Sequence, residues 1–381
     1  MKKIYAMLAG AFLAILLTTG TLHFADLKLQ PGQKAAIRNH RTYERFWSRE
    51  VQKQVMDEQT LPIFGSSELM PLEDYRKNIS SFLNGEDMNI MTIGAGNFQS
   101  LSHTMTLGAI EEGIKAGKVA LFLSPQWFSV EGVSKEAFPA RFSEDNLLGF
   151  LENQAISDEN KTYVLNRTLS LLEQSPTQYA RVERYKNSFE HASIVDTVYT
   201  KIMDEFWKVR AKYQVYRQID DMVTELPKEN LEQIDYHAML QLAEEQGRAA
   251  CTNNEFGIMD DYWNTYVKDV YEQGEVKDKE QVYVESPEYE DFKCFLNVAE
   301  ELEIEVLLVH IPIPEQWSLY QGQLADVYYD NIRTMAGDYE NVTLIDMTEY
   351  AGEKYFFRDV MHLGWKGWTR INEALYREFK K

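Results

Sequence analysis

Five short apolar runs recur along the chain, with helix-like stretches between them: Leu61 to Phe64, Asn89 to Ile93, Val119 to Leu123, Val306 to Ile311 and Val342 to Ile345. Each is too short for a core helix and is apolar almost throughout, without the period-two alternation of a half-solvated sheet. Strands read this way when helices cover both faces of their sheet. The runs therefore predict an α/β fold built on a doubly wound, mostly parallel sheet. Leu101, Met105 and Ile110 predict a helix after the second run, ending at Gly117.

Between about 144 and 290 the pattern changes. Leu165, Leu169 and Leu172, then Ile202, Phe206 and Val209, then Val215, Ile219 and Met222 recur at i, i+4, i+7, the spacing of amphipathic helices. No fixed period links them, so this stretch reads as a helical insertion between the third and fourth strands and not as a solenoid. Pro227, within Glu225 to Glu229, marks a break between two of its helices. With 381 residues, 44% of them hydrophobic, the chain can bury a sizeable core and is not a disordered one.

The 39 Lys and Arg against 60 Asp and Glu give a net charge of −21. Such a chain repels polyanions, which excludes phosphate-neutralising nucleic-acid binding as its main business. The first 25 residues stand apart. Ile4 to Phe24 are 21 residues without a formal charge, preceded by Lys2 and Lys3. At ~1.5 Å per residue that run spans a ~30 Å hydrocarbon layer. A cleaved secretory peptide would be shorter and end in a small-x-small site, which His23, Phe24 and Ala25 fit poorly. The reading is an uncleaved, single-pass N-terminal transmembrane helix over 1–25, with an extracytoplasmic domain over 26–381. Lys2 and Lys3 favour a cytoplasmic N-terminus, although Lys28, Lys34 and Arg38 weaken the asymmetry.

Cys251 and Cys294 are too few for a disulfide framework, and neither lies in a cluster with metal-ligand spacing. No metal or cofactor is expected; whether the two form one disulfide is open at this stage.

Chemistry is expected where the first strand ends, in Phe64-Gly65-Ser66-Ser67-Glu68-Leu69, because parallel sheets gather ligands at the carboxyl ends of their strands. A serine hydroxyl needs an imidazole to take its proton, and the imidazole needs a carboxylate to fix its tautomer. Asp359 and His362, three apart, share a face on one helical turn or tight loop. Taken alone, the serines read as a helix N-cap and Asp-x-x-His as a surface turn. A strand-end Gly-Ser-Ser and a late Asp-x-x-His in one α/β chain point together to catalysis.

In these blocks the chain resembles the SGNH or GDSL-like hydrolases. Within them it resembles the DltD family of D-alanyl-lipoteichoic acid biosynthesis, through Phe64-Gly-Ser-Ser-Glu-Leu69, Gly94-Ala-Gly-Asn-Phe-Gln-Ser-Leu101, Ser124-Pro-Gln-Trp-Phe128, Asn253-Asn-Glu-Phe-Gly257 and His362-Leu-Gly-Trp-Lys-Gly-Trp368. The resemblance implies Ser67 as nucleophile, His362 as base and Asp359 as its orienter. It also implies an oxyanion hole, for which the candidate donors are the amides of Ser67 and Gly96 and the side chain of Gln126, where the superfamily commonly has Asn. Gly94 reads as a turn residue admitting positive φ.

The implied activity is transfer of D-alanyl esters onto a lipoteichoic acid acceptor, at the membrane and beside a membrane acyltransferase. Two alternatives are a D-alanyl esterase or thioesterase using water, and a noncatalytic docking factor for a D-alanyl carrier protein or membrane acyltransferase. Other residues read as structural: His103 on a helix, His310 shaping a loop with Pro312 and Pro314, and Trp127, Trp365 and Trp368 in packing. Asp260-Asp261-Tyr262-Trp263 reads equally as a cation-holding patch or a half-buried helix face.

Overall fold

All five apolar runs are strands: β1 (Thr60–Phe64), β2 (Asn89–Ile93), β3 (Lys118–Leu123), β4 (Glu305–His310) and β5 (Val342–Asp346). They form one sheet in the order β2-β1-β3-β4-β5, with every neighbouring pair parallel. This computed structural model describes residues 10, 12, 29–39, 44–69, 83–219, 228–273, 285–314 and 323–381. The expected transmembrane helix falls almost wholly outside the described residues, as do Met222 and Pro227. Among the described residues no helix is long and apolar enough to cross a membrane.

Alternate strand residues enter two different cores. Val119, Leu121 and Leu123 of β3, with Val306 and Leu308 of β4, belong to one, while Ala120 and Phe122, with Leu307 and Val309, belong to the other. Burial on both faces is why the strands are continuously apolar. The layering is compatible with a doubly wound sheet, and the chain leaves β1 for β2 on one side and adds β3 on the other. The crevice at the carboxyl ends of β1 and β3 is therefore the topological switch point.

The helices used below are α1 (Pro31–Asn39), α2 (Arg49–Val55), α3 (Ser100–Ile110), α4 (Glu144–Glu152), α5 (Asp158–Leu171), α6 (Pro176–His191), α7 (Ile194–Tyr216), α8 (Tyr236–Ala250), α9 (Pro287–Glu301), α10 (Gln323–Gly337) and α11 (Trp365–Phe379). Ser48, Ser143, Ser157, Ser193, Asp235 and Ser286 start α2, α4, α5, α7, α8 and α9 by accepting a first-turn amide on their side chains. Every residue of α3 is buried, and α4 and α9 pack against it. It ends at Ile110, short of Gly117; a 3₁₀ turn over Glu111–Gly113 follows, and Gly117 opens the turn into β3.

Between β3 and β4, α4 and α5 contribute to one core of the sheet, α8 packs on α11 in the other, and Ile258, Trp263 and Val267 form a third, smaller cluster with Val360 of the histidine loop. Leu165, Leu172, Val215 and Ile219 are buried. The face of α7 differs from the sequence reading. Ile202 and Phe206 are exposed, and Asp204 and Ala211 face inward with Val215. The cause is Arg49, whose buried guanidinium meets Asp204 Oδ1 at 2.6 Å, Asp145 Oδ1 at 3.6 Å and Glu152 Oε2 at 3.2 Å. An unpaired buried cation is so costly that it fixes which face of α7 turns inward. Cys251 and Cys294 are buried free thiols in different cores, so they form no disulfide.

Candidate functional site at the carboxyl edge of the sheet

β1 ends at Phe64, and the chain passes through Gly65 and Ser66 into a 3₁₀ turn, Ser67–Leu69. The turn is held from two sides. Ser66 N donates to Glu68 Oε1 at 2.5 Å, and the Ser66 hydroxyl donates to the carbonyl of Ala95 at 3.1 Å. Ser66 is thereby buried and committed. Ser67 is half-buried, and its hydroxyl makes no hydrogen bond among the described residues.

The loop after β2 meets this turn backbone to backbone. Gly94 has φ +146°, and a Cβ there would lie 1.7 Å from the Gly65 carbonyl oxygen, so only glycine fits. Two residues on, the Gly96 carbonyl accepts from Arg141 Nε at 2.9 Å, which fixes the loop. After β3, Ser124 Oγ donates to Gln126 Oε1 at 2.8 Å. That bond occupies the acceptor of the Gln126 amide and leaves its N–H₂ as donor.

Asp359 and His362 lie on a tight loop closed by an antiparallel bridge between Phe357 and Leu363, not on a helix. Asp359 Oδ1 accepts the amides of Met361 and His362 at 2.9 and 2.7 Å, and Oδ2 lies 2.8 Å from His362 Nδ1. One carboxylate thus shapes the loop and orients the ring. His362 Nε2 is buried without a hydrogen-bond partner. The Gly-Trp-Lys-Gly-Trp stretch that follows is explained by close approach: a Cβ on Gly364 would meet the Tyr355 carbonyl at 2.6 Å, and one on Gly367 the Phe356 carbonyl at 2.3 Å. Larger residues would push α11 off the loop that carries His362.

The serine turn and the histidine loop share one neighbourhood. Leu69 and Leu363 belong to the same core, and His362 is close enough that its protonated form would lower the Glu68 carboxyl. Burial raises that carboxyl to about 7, opposed by its amide hydrogen bonds and by His362. Glu68 Oε2 has no hydrogen-bond partner. Sequence reasoning passed over Glu68; its available signal was a carboxylate directly after two serines at the end of a buried strand.

The remaining candidates are structural. His103 is ringed by Phe64, Phe98 and Trp127, and burial lowers it to about 3. His310 is buried against Tyr328 and Tyr329, 3.8 Å from Asp346, and burial lowers it to about 4. Trp127, Trp365 and Trp368 are buried in the cores. Asp260 is used within the chain, accepting from Thr252 N and Oγ and Asn253 N at 2.7, 2.6 and 3.1 Å, while Trp263 stacks on Phe256. No group of three or more His, Cys, Asp or Glu able to hold a metal is found among the described residues.

Fold and site define an α/β protein with a parallel five-stranded sheet, carrying a serine turn and a histidine–carboxylate pair at its carboxyl edge. A family model described as DltD protein matches residues 39–380, and the chain belongs to that family. It is 25% identical over 350 residues to Protein DltD of Bacillus subtilis (strain 168), covering 87% of this chain and 85% of the relative. It is likewise 25% identical over 322 residues to Protein DltD of Staphylococcus aureus (strain NCTC 8325 / PS 47), covering 84% and 81%. Over 346 residues it is 25% identical to Protein DltD of Lacticaseibacillus rhamnosus, covering 87% and 80%.

Proposed function

We propose that the chain is a membrane-anchored, extracytoplasmic serine acyl-transfer enzyme in the D-alanylation of lipoteichoic acid. One contrast carries the chemistry: of two adjacent strand-end serines, Ser66 is locked to Ala95 while the Ser67 hydroxyl is unengaged. The partly assembled pair of Asp359 and His362 supports it, with Nδ1 held by the carboxylate and Nε2 left to act as base.

In this reading Ser67 Oγ attacks the carbonyl carbon of an activated D-alanyl ester, and its proton passes to His362 Nε2. Asp359 stabilises the imidazolium that forms. The amides of Ser67 and Gly96 and the Gln126 side chain receive the developing oxyanion. The bond to the donor breaks, and the leaving atom takes the proton from His362. A hydroxyl of the teichoic acid then attacks the acyl-enzyme through the same base, restoring Ser67. The donor is an activated D-alanyl ester and the acceptor lipoteichoic acid, with a membrane acyltransferase as neighbour.

The test is reconstitution of the full chain in vesicles with a D-alanyl donor, with and without teichoic acid, beside Ser67→Ala. Acceptor-dependent transfer lost in Ser67→Ala supports the reading. Release of free D-alanine at the same rate with and without acceptor makes the chain an esterase. Transfer unaffected by Ser67→Ala leaves it a docking factor.

A further inference from the structure

Among the described residues, half of the exposed large apolar side chains lie on one face of α7. Ile194, Val195, Val198, Ile202, Phe206 and Tyr213 follow helical spacing, with Ile194 82% and Val195 68% exposed. At ~1.5 Å per residue the stripe runs ~30 Å along the helix. It lies opposite Asp204, Ala211 and Val215, the residues by which α7 packs on the body. An exposed stripe of this length on a soluble face marks an interaction surface.

Charge identifies what covers it. Residues 176–217, the α6–α7 hairpin, hold eight Lys and Arg against five Asp and Glu, a net +3 in a chain whose total is −21, so the rest carries −24. By helical position Lys201 and Lys212 flank one margin of the stripe and Arg210 the other. Glu205, on the Lys201 margin, is paired to Lys208 at 3.2 Å. An apolar stripe bordered by cations, on a hairpin of net positive charge in an acidic body, is the composition of a helix lying in the interface of an anionic bilayer. The chain leads there as well. The uncharged run ends at Phe24, and five residues span at most ~18 Å before Leu29, which is buried in the core that α2 shares. α7 packs on α2 and on the turn before it.

We propose that α7 is a membrane-docking helix, its apolar stripe seated among the acyl-chain ends of anionic phospholipid and Lys201, Lys212 and Arg210 reaching the phosphates. This rests on the reading of residues 4–24 as an anchor. It would hold the catalytic edge in a fixed orientation over the bilayer instead of letting the body swing on its tether.

The test uses the full chain in vesicles rich in phosphatidylglycerol, labelled with an environment-sensitive fluorophore at Val198→Cys or Ile202→Cys, and at Arg377→Cys on α11 as control. The native thiols do not compete, since Cys251 and Cys294 are buried and burial raises both. The labels at 198 and 202 are expected to shift to the blue. Nitroxide lipids should quench them several-fold more, and aqueous iodide several-fold less, than the label at 377. Neutral lipid or high salt should weaken the difference. A chain that floats with the vesicles while iodide reaches all three labels equally overturns the docking and leaves the anchor standing. A chain that fails to float overturns both. A disulfide-linked dimer of unlabelled Ile202→Cys, with no lipid quenching, assigns the stripe to a second copy and overturns the lipid assignment.

Discussion

The Ser66 hydroxyl donates to the carbonyl of Ala95 at 3.1 Å, tying the end of β1 to the loop after β2 and leaving Ser67 as the serine free to react. Ser67→Ala is therefore expected to abolish acyl transfer with stability changed by no more than about 0.5 kcal/mol. Ser66→Ala should keep substantial turnover yet lose about 1 kcal/mol, the worth of the hydrogen bond. Transfer assays and thermal melts on the two variants separate these outcomes; equal turnover in both and in wild type would remove serine catalysis.

Asp359 serves the backbone as well as the ring, which gives its variants a signature of their own. His362→Ala should approach the loss of Ser67→Ala and remain folded. The double variant should be little worse, because groups acting in one step are non-additive. Asp359→Ala should lower activity and also destabilise by about 2 kcal/mol, since two loop amides lose their acceptor. Chemical denaturation beside kinetics checks this. A fully stable Asp359→Ala would mean that the bridge between Phe357 and Leu363 holds the loop without it.

Glu68 gives a pH signature. Its folded value is raised from 4.5 to about 7, so the folded state keeps this proton while the unfolded chain releases it. Stability is then fully present below about pH 4.5 and declines as pH rises toward 7, by on the order of 3 kcal/mol for a fully buried group. Glu68→Gln keeps an acceptor for the Ser66 amide and cannot ionise. The difference between wild-type and variant stability, followed by urea unfolding from pH 5 to 8, should change sign or grow in favour of the variant; a flat difference contradicts the assignment. Asp145, also raised to about 7, titrates in both proteins and cancels.

The packing of α7 predicts opposite outcomes two residues apart. Asp204→Ala removes a partner of the buried Arg49 and should cost about 3 kcal/mol. Ile202→Ala, at an exposed position, should change stability in detergent by no more than about 0.5 kcal/mol. Urea unfolding of both variants measures the contrast, and a larger loss for Ile202→Ala would restore the face that periodicity alone suggests.

Continuous apolar runs located every strand of the sheet to within a residue at each end, because a strand covered on both faces holds few polar positions to blur its limits. The blocks at Ser66-Ser67 and Asp359-His362 stood out for a related reason: the proposed acyl transfer would admit few residue types, and the carboxyl ends of parallel strands are where ligands gather. Helix limits were less legible. The helix through Leu101 and Met105 is buried all round, so its pattern carries no information on where it ends, and a 3₁₀ turn closed it before Gly117.

By itself, then, the sequence determined the α/β class, the strands, the apolar N-terminal run and the candidate serine and histidine blocks, all properties that local pattern and side-chain type carry. Tertiary structure alone decided which serine is locked, which face of α7 turns inward, that the two cysteines stand in separate cores, and that Glu68 sits buried within reach of His362. Each of these turns on groups far apart in the chain. Ala95 meets Ser66 and Arg49 meets Asp204, and the cost of leaving a buried polar group or charge unpaired decides such meetings only once the sheet has brought them together.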